Sequence, residues 1–361
     1  MGDGRRFLVT GATGLVGSEV VSRLVRQGHS VVAVTHRAVD LVDSAGQPIP
    51  TQPFGEHPAT VSTISGDVRR TDLGMSPATR DSVVSSVDGI IHCAASTNFA
   101  APQSVYDELN VGGTVHVCDL ACAAELPLVY VGTAYVCGRR EGTIPESDLS
   151  DAWGFANGYE RSKYDAERHL RSVDGLRWSV VRPGIVTGYT RTGQIRDRKN
   201  LFTVLKLIVE GKLRTLPGRY DATLSLAPVD FVADVVVAAA TDFEGASGCT
   251  FHAVGDTEVT LRHMSDVLAE YPSFEVARFV PRSSFAVDDL DPIEREYYLR
   301  IGTQYAEYFT GRRHFDASST RDLMGSPPPD SGVDHLRSLL DESLEVGFLG
   351  SPLESIDEVI R

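Results

Sequence analysis

The segment Arg6–Gly28, RFLVTGATGLVGSEVVSRLVRQG, decides the fold. Arg6–Thr10 predicts a short buried strand, and Ser18–Gln27 predicts a helix. Between them lies a glycine turn, Gly11–Gly17, and a second strand is predicted at Ser30–Thr35. This order of strand, glycine turn, helix and strand is typical of dinucleotide binding. The glycines let the backbone approach a pyrophosphate, and the start of the helix offers free N–H groups.

The alternation of strand and helix continues through the first half of the chain and predicts an α/β fold, a Rossmann-type doubly wound parallel sheet. Ligands bind such sheets at the carboxyl ends of the strands. Further strands are predicted at Thr60–Gly66, Gly89–Cys93, Leu128–Val131 and Arg177–Arg182, with helices within Pro77–Ser86 and Val105–Ala124.

Beyond Ile185 the alternation loosens, which indicates a smaller C-terminal substrate lobe. We predict an NADP-binding domain at 1–185, to which 226–256 returns, and a substrate lobe at 186–225 and 257–361. Ala38–Ala59 contains six prolines and glycines and is predicted to be a long surface loop. The later elements are predicted as a strand at Cys249–Val254 and helices at Leu201–Gly211, Pro228–Ala240, Ile293–Phe309 and Gly332–Val346.

Composition limits the classes of function. The net charge of -15, from 34 Lys+Arg and 49 Asp+Glu, argues against a general binder of nucleic acid or anionic membranes. No apolar run approaches the ~20 residues that span a bilayer, and no signal-peptide pattern precedes the first strand, so we expect a cytoplasmic protein. The five cysteines are scattered and contain no CxxC pair, which favours reduced thiols and gives no indication of a metal site.

A second motif, NGYERSK at 157–163, contains a phenol and an amine four residues apart. Asn157 is a good helix cap, and Tyr159–Leu170 is rich in helix formers, so both groups are expected on one helix face. A nearby ammonium is expected to lower the pKa of Tyr159 and make it a general acid or base. On its own the pattern also suits a surface helix, but the upstream dinucleotide motif favours Lys163 and Tyr159 as functional.

Cofactor preference depends on the end of the second strand. An acidic residue there would bind the ribose hydroxyls of NAD, but the chain reads Thr35-His36-Arg37. Arginine suits a 2′-phosphate, which predicts NADP(H). A solvated loop arginine is the alternative. Small residues at Ala94 and Ala95 would let a cofactor lie against the end of their strand.

Nine motifs resemble, in order along most of the chain, those of extended short-chain dehydrogenase/reductases. The branch that they resemble contains thioester reductases, fatty acyl-CoA reductases and male-sterility-type proteins. The motifs are GATGLVG, GDVRRTDLGMS, VDGIIHCAAS, NVGGT, VGTAYVCG, NGYERSK, VRPGIVTG, LAPVDFVAD and RHFDASSTRDLMG.

The resemblance implies a catalytic set of Thr133, Tyr159 and Lys163, with Asn110 as a fourth member in a structural or proton-relay role. Substrate contacts are implied for Thr97, Thr133, Ala134, Tyr135 and Arg191. Contacts to NADP(H) are implied for Gly11, Thr13, Gly14, Leu15, Val16, Gly17, Arg37, Asp67, Val68, Cys93, Ala94, Ala95, Tyr159, Lys163, Pro183, Gly184, Ile185 and Val186.

The function that this resemblance implies is NADPH-dependent reduction of an acyl thioester, bound to CoA or to an acyl carrier protein, to the aldehyde. Hydride transfer would be direct, and a second reduction to the alcohol is open to the same site. Three alternatives remain: a secondary alcohol/ketone dehydrogenase, an enzyme that modifies nucleotide sugars, and a cofactor-sensing scaffold. Acyl transfer to Cys93 or Cys137 is a further alternative, although neither has an adjacent base in the sequence.

A basic loop follows the predicted cofactor segment. It contains Arg191, Arg196, Arg198 and Lys199 around Gly193, in a strongly acidic chain. We expect it either to bind the phosphates of CoA or phosphopantetheine or to be an ordinary solvated loop.

Overall fold

An eight-stranded parallel sheet organises this computed structural model, which describes residues 4–37, 39–55 and 59–350. From one edge to the other, its strands are Thr250–Ala253, Trp178–Pro183, Leu128–Val131, Gly89–His92, Arg6–Thr10, Ser30–Thr35, Val61–Ser65 and Gln52–Pro53. The strands that follow Arg6–Thr10 in the chain are added first on one side of it, and the later strands are added on its other side. The switch point of the sheet therefore lies between Arg6–Thr10 and Gly89–His92, where such sheets bind ligands.

Helices cover both faces of the sheet, which confirms the predicted doubly wound Rossmann-type fold. Side chains alternate along the first strand: Phe7 and Val9 enter one core, and Leu8 enters the other. Helices Leu15–Arg26 and Val229–Thr241 pack on the first face. The second face is covered by Pro77–Val84, Gly113–Ala123 and Gly158–Ser172.

The predicted helix Val105–Ala124 is right in position but wrong in its regularity. A π-helical turn at Tyr106–Gly112 interrupts it, between the short helix Gln103–Val105 and the longer helix Gly113–Ala123. Such turns are frequent at functional sites. This one changes which side chains of the helix face the sheet edge.

The predicted surface loop Ala38–Ala59 is partly wrong. Leu41–Val42 and Pro48–Ile49 form an antiparallel pair, and Gln52–Pro53 adds the edge strand to the main sheet. Residue 38 and residues 56–58 of this prediction lie outside the described residues.

A separate hydrophobic core lies in the C-terminal part, where Leu201–Val209, Leu261–Leu268 and Val333–Glu345 pack together. Thr250–Ala253, by contrast, pairs with Trp178–Pro183 in the main sheet, as expected of a returning strand. The predicted boundaries between the two lobes stay a prediction, and residues 351–361 of the proposed lobe lie outside the described residues.

The predicted helical region Ile293–Phe309 consists of short turns of several kinds. It contains the α-helices Pro292–Tyr297 and Thr303–Tyr305, a π turn at Tyr298–Gly302 and a 3₁₀ turn at Ala306–Phe309. These changes of helix type turn aromatic side chains in more than one direction.

The remaining elements are short. Further helices are Phe243–Ala246 and Ser318–Met324, and 3₁₀ turns are Thr71–Gly74, Ala134–Cys137, Arg282–Ser284 and Val287–Asp289. Two-stranded pairs join Ile185–Thr187 to Leu226–Pro228, Thr215–Pro217 to Arg278–Val280, Thr223–Leu224 to Val259–Thr260, and Gly142–Ile144 to Arg313–Phe315. Within the described ranges, no helix is both long enough and apolar enough to cross a bilayer.

Candidate active site

A cleft of about 320 Å³ lies at the carboxyl edge of the sheet and brings together most of the predicted site residues. It runs from the glycine turn, past the start of helix Gly158–Ser172, to the C-terminal part of the chain. The predicted residues that line it are Gly14, Leu15, Val16, Gly17, Cys93, Ala95, Thr97, Thr133, Tyr135, Tyr159, Lys163, Pro183, Gly184, Ile185 and Val186.

The glycine turn is shaped by close backbone approaches. Gly11 has φ +70°, and a Cβ there would lie 2.5 Å from the Ala94 nitrogen. A Cβ on Gly17 would lie 2.2 Å from the Gly11 carbonyl oxygen. Helix Leu15–Arg26 begins beyond Gly14 without a side-chain cap, so its first N–H groups stay open. This backbone fits the pyrophosphate of a dinucleotide.

Helix Gly158–Ser172 begins with reciprocal capping. The Asn157 side-chain oxygen accepts from the Glu160 N–H at 3.0 Å, and the Glu160 carboxylate accepts from the Ala156 N–H at 2.8 Å. These bonds satisfy N–H groups that would otherwise be unpaired at a helix start. They fix Tyr159 in the first turn, with Lys163 one turn later.

The Lys163 ammonium lies beneath the cleft and is almost fully buried. It donates to the Val131 carbonyl at 2.8 Å and lies 4.3 Å from the centre of the Tyr130 ring. Burial disfavours the charged form and lowers the pKa of Lys163 to about 7. The amine is therefore poised to exchange a proton near neutral pH.

Burial raises the pKa of Tyr159, and an interaction with the neighbouring Thr133 side chain offsets only part of that rise. The expectation that Lys163 lowers the pKa of Tyr159 is therefore wrong for this structure, because desolvation of the phenolate dominates and the Lys163 ammonium donates to the Val131 carbonyl. The phenol stays protonated at neutral pH.

Thr133 is held just beyond strand Leu128–Val131 in an extended conformation. Its hydroxyl accepts from the Tyr135 N–H at 3.3 Å and lies 3.5 Å from the Pro183 carbonyl. These contacts, together with Tyr159, orient the hydroxyl into the cleft.

Asn110 lies in the π turn and is 1% exposed. Its side-chain oxygen accepts from the Ser96 N–H at 2.7 Å, and its amide donates to the Ser96 carbonyl at 3.1 Å and to the Ser162 hydroxyl at 2.9 Å. Of the two roles expected, these contacts describe the structural one. Asn110 ties the loop after strand Gly89–His92 to the helix that carries Tyr159.

Several predicted site residues do not line the cleft. Arg37 is exposed just after the second strand, and Arg191 is exposed in the basic loop. Asp67 is paired with Arg69 through bonds as short as 2.7 Å, and this partner lowers the pKa of Asp67 to about 2. The others outside the lining are Thr13, which is exposed, Gly11 and Ala94, which are partly buried, and Asn110, Val68 and Ala134, which are buried.

The basic loop is largely occupied by structural contacts. Arg196 donates to the carbonyls of Val42 at 2.8 Å and Thr13 at 2.6 Å, and Arg198 pairs with Glu342. Both therefore hold the fold together, and binding of a donor phosphate by the loop stays a prediction. Lys199 does line the cleft.

The two candidate nucleophilic cysteines are poorly suited to acyl transfer. Cys93 lines the cleft, but burial raises the pKa of its thiol to about 12. Burial likewise raises the pKa of Cys137 to about 12. Because the thiolate is the nucleophile, both groups are inert at neutral pH.

Four aromatic residues that were not predicted as site residues also line the cleft. They are Phe99, Tyr305, Tyr308 and Phe309. The run 297–309, YYLRIGTQYAEYF, is rich in aromatic residues, and this was the available signal. Nothing local shows that this run folds over Tyr159, because that contact joins distant parts of the chain.

Comparison with known proteins finds a sequence relative that is several times longer than this chain. The chain is 29% identical over 263 residues to the L-2-aminoadipate reductase large subunit of Candida glabrata, covering 64% of this chain and 19% of the relative. It therefore spans about a fifth of that relative's length.

Two solved structures share the fold. The terminal R domain from the myxalamid PKS-NRPS biosynthetic pathway has a TM-score of 0.80 at 24% identity, over 98% of this chain and 94% of that one. The thiolation-reductase di-domain from an archaeal non-ribosomal peptide synthetase has a TM-score of 0.70 at 16% identity, over 96% of this chain and 77% of that one. The sequence profile of the male sterility protein family matches residues 9–236, more than half of the chain. This protein therefore belongs to the male sterility protein family.

Proposed function

We propose that this protein is an NADPH-dependent reductase that converts an acyl thioester to its aldehyde. The observation that carries the proposal is the neighbouring pair Thr133 and Tyr159, whose side chains interact and line the same cleft as Lys163 and the uncapped glycine-turn helix. A relative named as a reductase and the likeness to an R domain support the reaction class.

The residues available to hold the cofactor follow from the shape of the cleft. The glycine turn offers the open N–H groups of Leu15, Val16 and Gly17 to the pyrophosphate. Arg37 is exposed at the end of the second strand, where it would pair with a 2′-phosphate. When bound, NADPH supplies the hydride for the reduction.

The protein's own groups hold the carbonyl and move a proton. The hydroxyls of Thr133 and Tyr159 donate to the thioester carbonyl oxygen, and the protonated Tyr159 phenol transfers its proton as negative charge develops there. The hemithioacetal of the substrate then expels the thiol and leaves the aldehyde. Overall, one thioester, one NADPH and one proton give one aldehyde, one thiol and NADP⁺.

We infer that Lys163 returns the proton that Tyr159 donates. Its amine is one helical turn from Tyr159, and its pKa of about 7 allows both charge states near neutral pH. No covalent acyl-enzyme is needed, which agrees with the inert thiol of Cys93. A second reduction, to the alcohol, would use the same groups.

We further infer that the thiol carrier is CoA or the phosphopantetheine arm of a carrier protein. The similar di-domain joins a thiolation unit to a reductase unit, which supports the second source. Lys199 at the cleft is the member of the basic loop best placed to meet a donor phosphate, because Arg196 and Arg198 are engaged elsewhere.

A thiol-release assay run beside NADPH absorbance tests the proposal. The panel contains acyl-CoA thioesters, N-acetylcysteamine thioesters, ketones and nucleotide sugars. We expect one free thiol for each thioester consumed. Turnover of a ketone or a nucleotide sugar, with no thiol release from any thioester, would overturn the thioester assignment.

A further inference from the structure

Three aromatic rings form a continuous wall beside Tyr159. The ring centre of Phe99 lies 5.5 Å from that of Tyr159, 5.5 Å from that of Tyr305 and 5.7 Å from that of Tyr308. The rings of Phe99 and Tyr308 are stacked, with 10° between their planes. We call Phe99, Tyr305 and Tyr308 the aromatic wall, and all three line the cleft.

The neighbouring lining is mixed. Leu201, Val204 and Leu224 supply alkyl groups and belong to the hydrophobic core of the C-terminal part, whereas Asp197, Lys199 and Asn200 supply polar ones. The Tyr305 hydroxyl donates to the Asn200 side chain at 3.3 Å, so polar groups border the aromatic wall itself. The distinguishing feature of this part of the cleft is therefore its ring surfaces.

The aromatic wall is held in place by the fold. Phe99 lies on the loop after strand Gly89–His92, and Asn110 bonds both backbone polar groups of Ser96 on that loop. Tyr106, in the same π turn, donates its hydroxyl to the Asn98 carbonyl at 2.5 Å. The position of Phe99 is therefore set before any substrate binds.

We propose that the aromatic wall selects thioesters whose acyl group is flat next to the carbonyl, an aryl or conjugated acyl group. This inference rests on the proposed function. A thioester carbonyl held by Thr133 and Tyr159 would bring the carbons attached to it near Phe99, the ring of the wall that packs on Tyr159. Flat groups stack on such rings, whereas saturated rings of equal size gain only the burial of their area.

Amides in which nitrogen replaces the thioester sulfur bind without reacting, so their affinities test the selection separately from catalysis. Benzoyl and cyclohexanecarbonyl amides of cysteamine are matched in size, and their Kd values are measured by calorimetry on the full chain with NADP⁺ present. We expect Tyr305→Leu to weaken benzoyl binding about 2- to 12-fold, the value of one aromatic pair. Cyclohexanecarbonyl binding should change less.

Two matched variants serve as controls. Tyr305→Phe keeps the ring and loses the hydroxyl that donates to Asn200 at 3.3 Å, so it should keep the benzoyl preference. Phe274→Leu removes a ring stacked on Tyr271 outside the cleft lining, so it should keep the preference too. Equal loss of both amides in Tyr305→Leu would overturn the inference. If selective amide binding persists while no thioester is turned over, the proposed function fails and the selection stands.

Discussion

At the scale of single residues, Tyr159 is a phenol that the fold keeps protonated. Burial raises its pKa, and the neighbouring Thr133 side chain offsets only part of that rise. A proton donor needs its proton at the working pH, so the upward direction suits a general acid better than the expected downward one. In the proposed reaction the pair therefore donates to a carbonyl oxygen, and Lys163, whose pKa burial lowers to about 7, is the group that changes charge near neutrality.

We expect Tyr159→Phe to lower kcat by about 100-fold or more while the Kd of the cofactor is kept, because it removes a positioned general acid. Steady-state rates and cofactor fluorescence titration measure the two quantities. Tyr164→Phe on the same helix is the control, since Tyr164 packs against Phe155 and does not line the cleft. Near-normal turnover in Tyr159→Phe would remove this tyrosine from the mechanism.

A second expectation at this scale concerns Arg37. If its guanidinium pairs with the 2′-phosphate, the unmodified protein prefers NADPH to NADH, and Arg37→Ala loses that preference. A charge-assisted hydrogen bond is worth roughly 1.5–3 kcal/mol, or about 10- to 150-fold in Kd. The Kd values of both cofactors are measured for both proteins, with Arg161→Ala, a surface arginine paired with Asp165, as the control. Equal binding of NADPH and NADH by the unmodified protein would contradict the role.

At the scale of elements, the glycine turn owes its shape to contacts that leave no room for a side chain. We expect Gly17→Ala to weaken cofactor binding by about 10-fold or more, because its Cβ would lie 2.2 Å from the Gly11 carbonyl and the turn must shift. Gly28→Ala, at the other end of the same helix, meets no neighbouring atom but keeps φ +85°.

The control Gly28→Ala should lower the free energy of unfolding by about 1–2 kcal/mol and leave the proposed pyrophosphate site unchanged. Calorimetric titration with the cofactor, together with thermal unfolding of each variant, separates the two effects. Unchanged cofactor binding in Gly17→Ala would show that the turn does not hold the pyrophosphate.

Elements with local signals could be predicted from the sequence. The glycine turn and the capped helix carrying Tyr159 and Lys163 depend on neighbouring residues, and the structure has both where they were expected. The alternation of buried strands and helices was sufficient for the sheet apart from its edge strand Gln52–Pro53, and it included the return of Thr250–Ala253.

Elements set by distant contacts could not be predicted. The π turn at Tyr106–Gly112 contains Asn110, whose side chain bonds Ser96 and Ser162, and these partners lie 14 and 52 residues away in sequence. The sequence contains no sign that arginines of the basic loop are paired, because their partners, such as Glu342 for Arg198, lie in other elements. The aromatic wall likewise joins Phe99 to Tyr305 across most of the chain.

At the scale of the whole molecule, a buried polar network joins the sheet to the C-terminal segment. The buried Arg182 donates to the Glu167 carboxylate at 2.7 Å and lies 3.4 Å from the Nε2 atom of His252. The His252 Nδ1 atom lies 2.7 Å from the Asp316 carbonyl oxygen. A carbonyl only accepts and a guanidinium only donates, so the ring is neutral with its proton on Nδ1.

Because of this arrangement, we expect the protein to become less stable as the pH falls below neutrality. Burial, and then the charge of Arg182, lower the pKa of His252 to about 3, whereas an unfolded histidine has a pKa near ~6.5. Between these values the unfolded chain binds a proton that the folded chain does not. Stability from this group is therefore complete above about pH 6.5 and is lost as the pH falls toward 3.

We expect the free energy of unfolding to fall as the pH drops from about 6.5 to 4.5, with His252 contributing up to about 1.4 kcal/mol per pH unit. His252→Asn should be less stable at neutral pH but should show a shallower decline, because its side chain does not titrate. Val181→Ala, a truncation in the neighbouring strand, should lower stability by a similar amount at every pH. Urea unfolding of the three proteins at several pH values measures the slopes. Equal slopes in His252→Asn and the parent would show that His252 is not held neutral by Asp316 and Arg182.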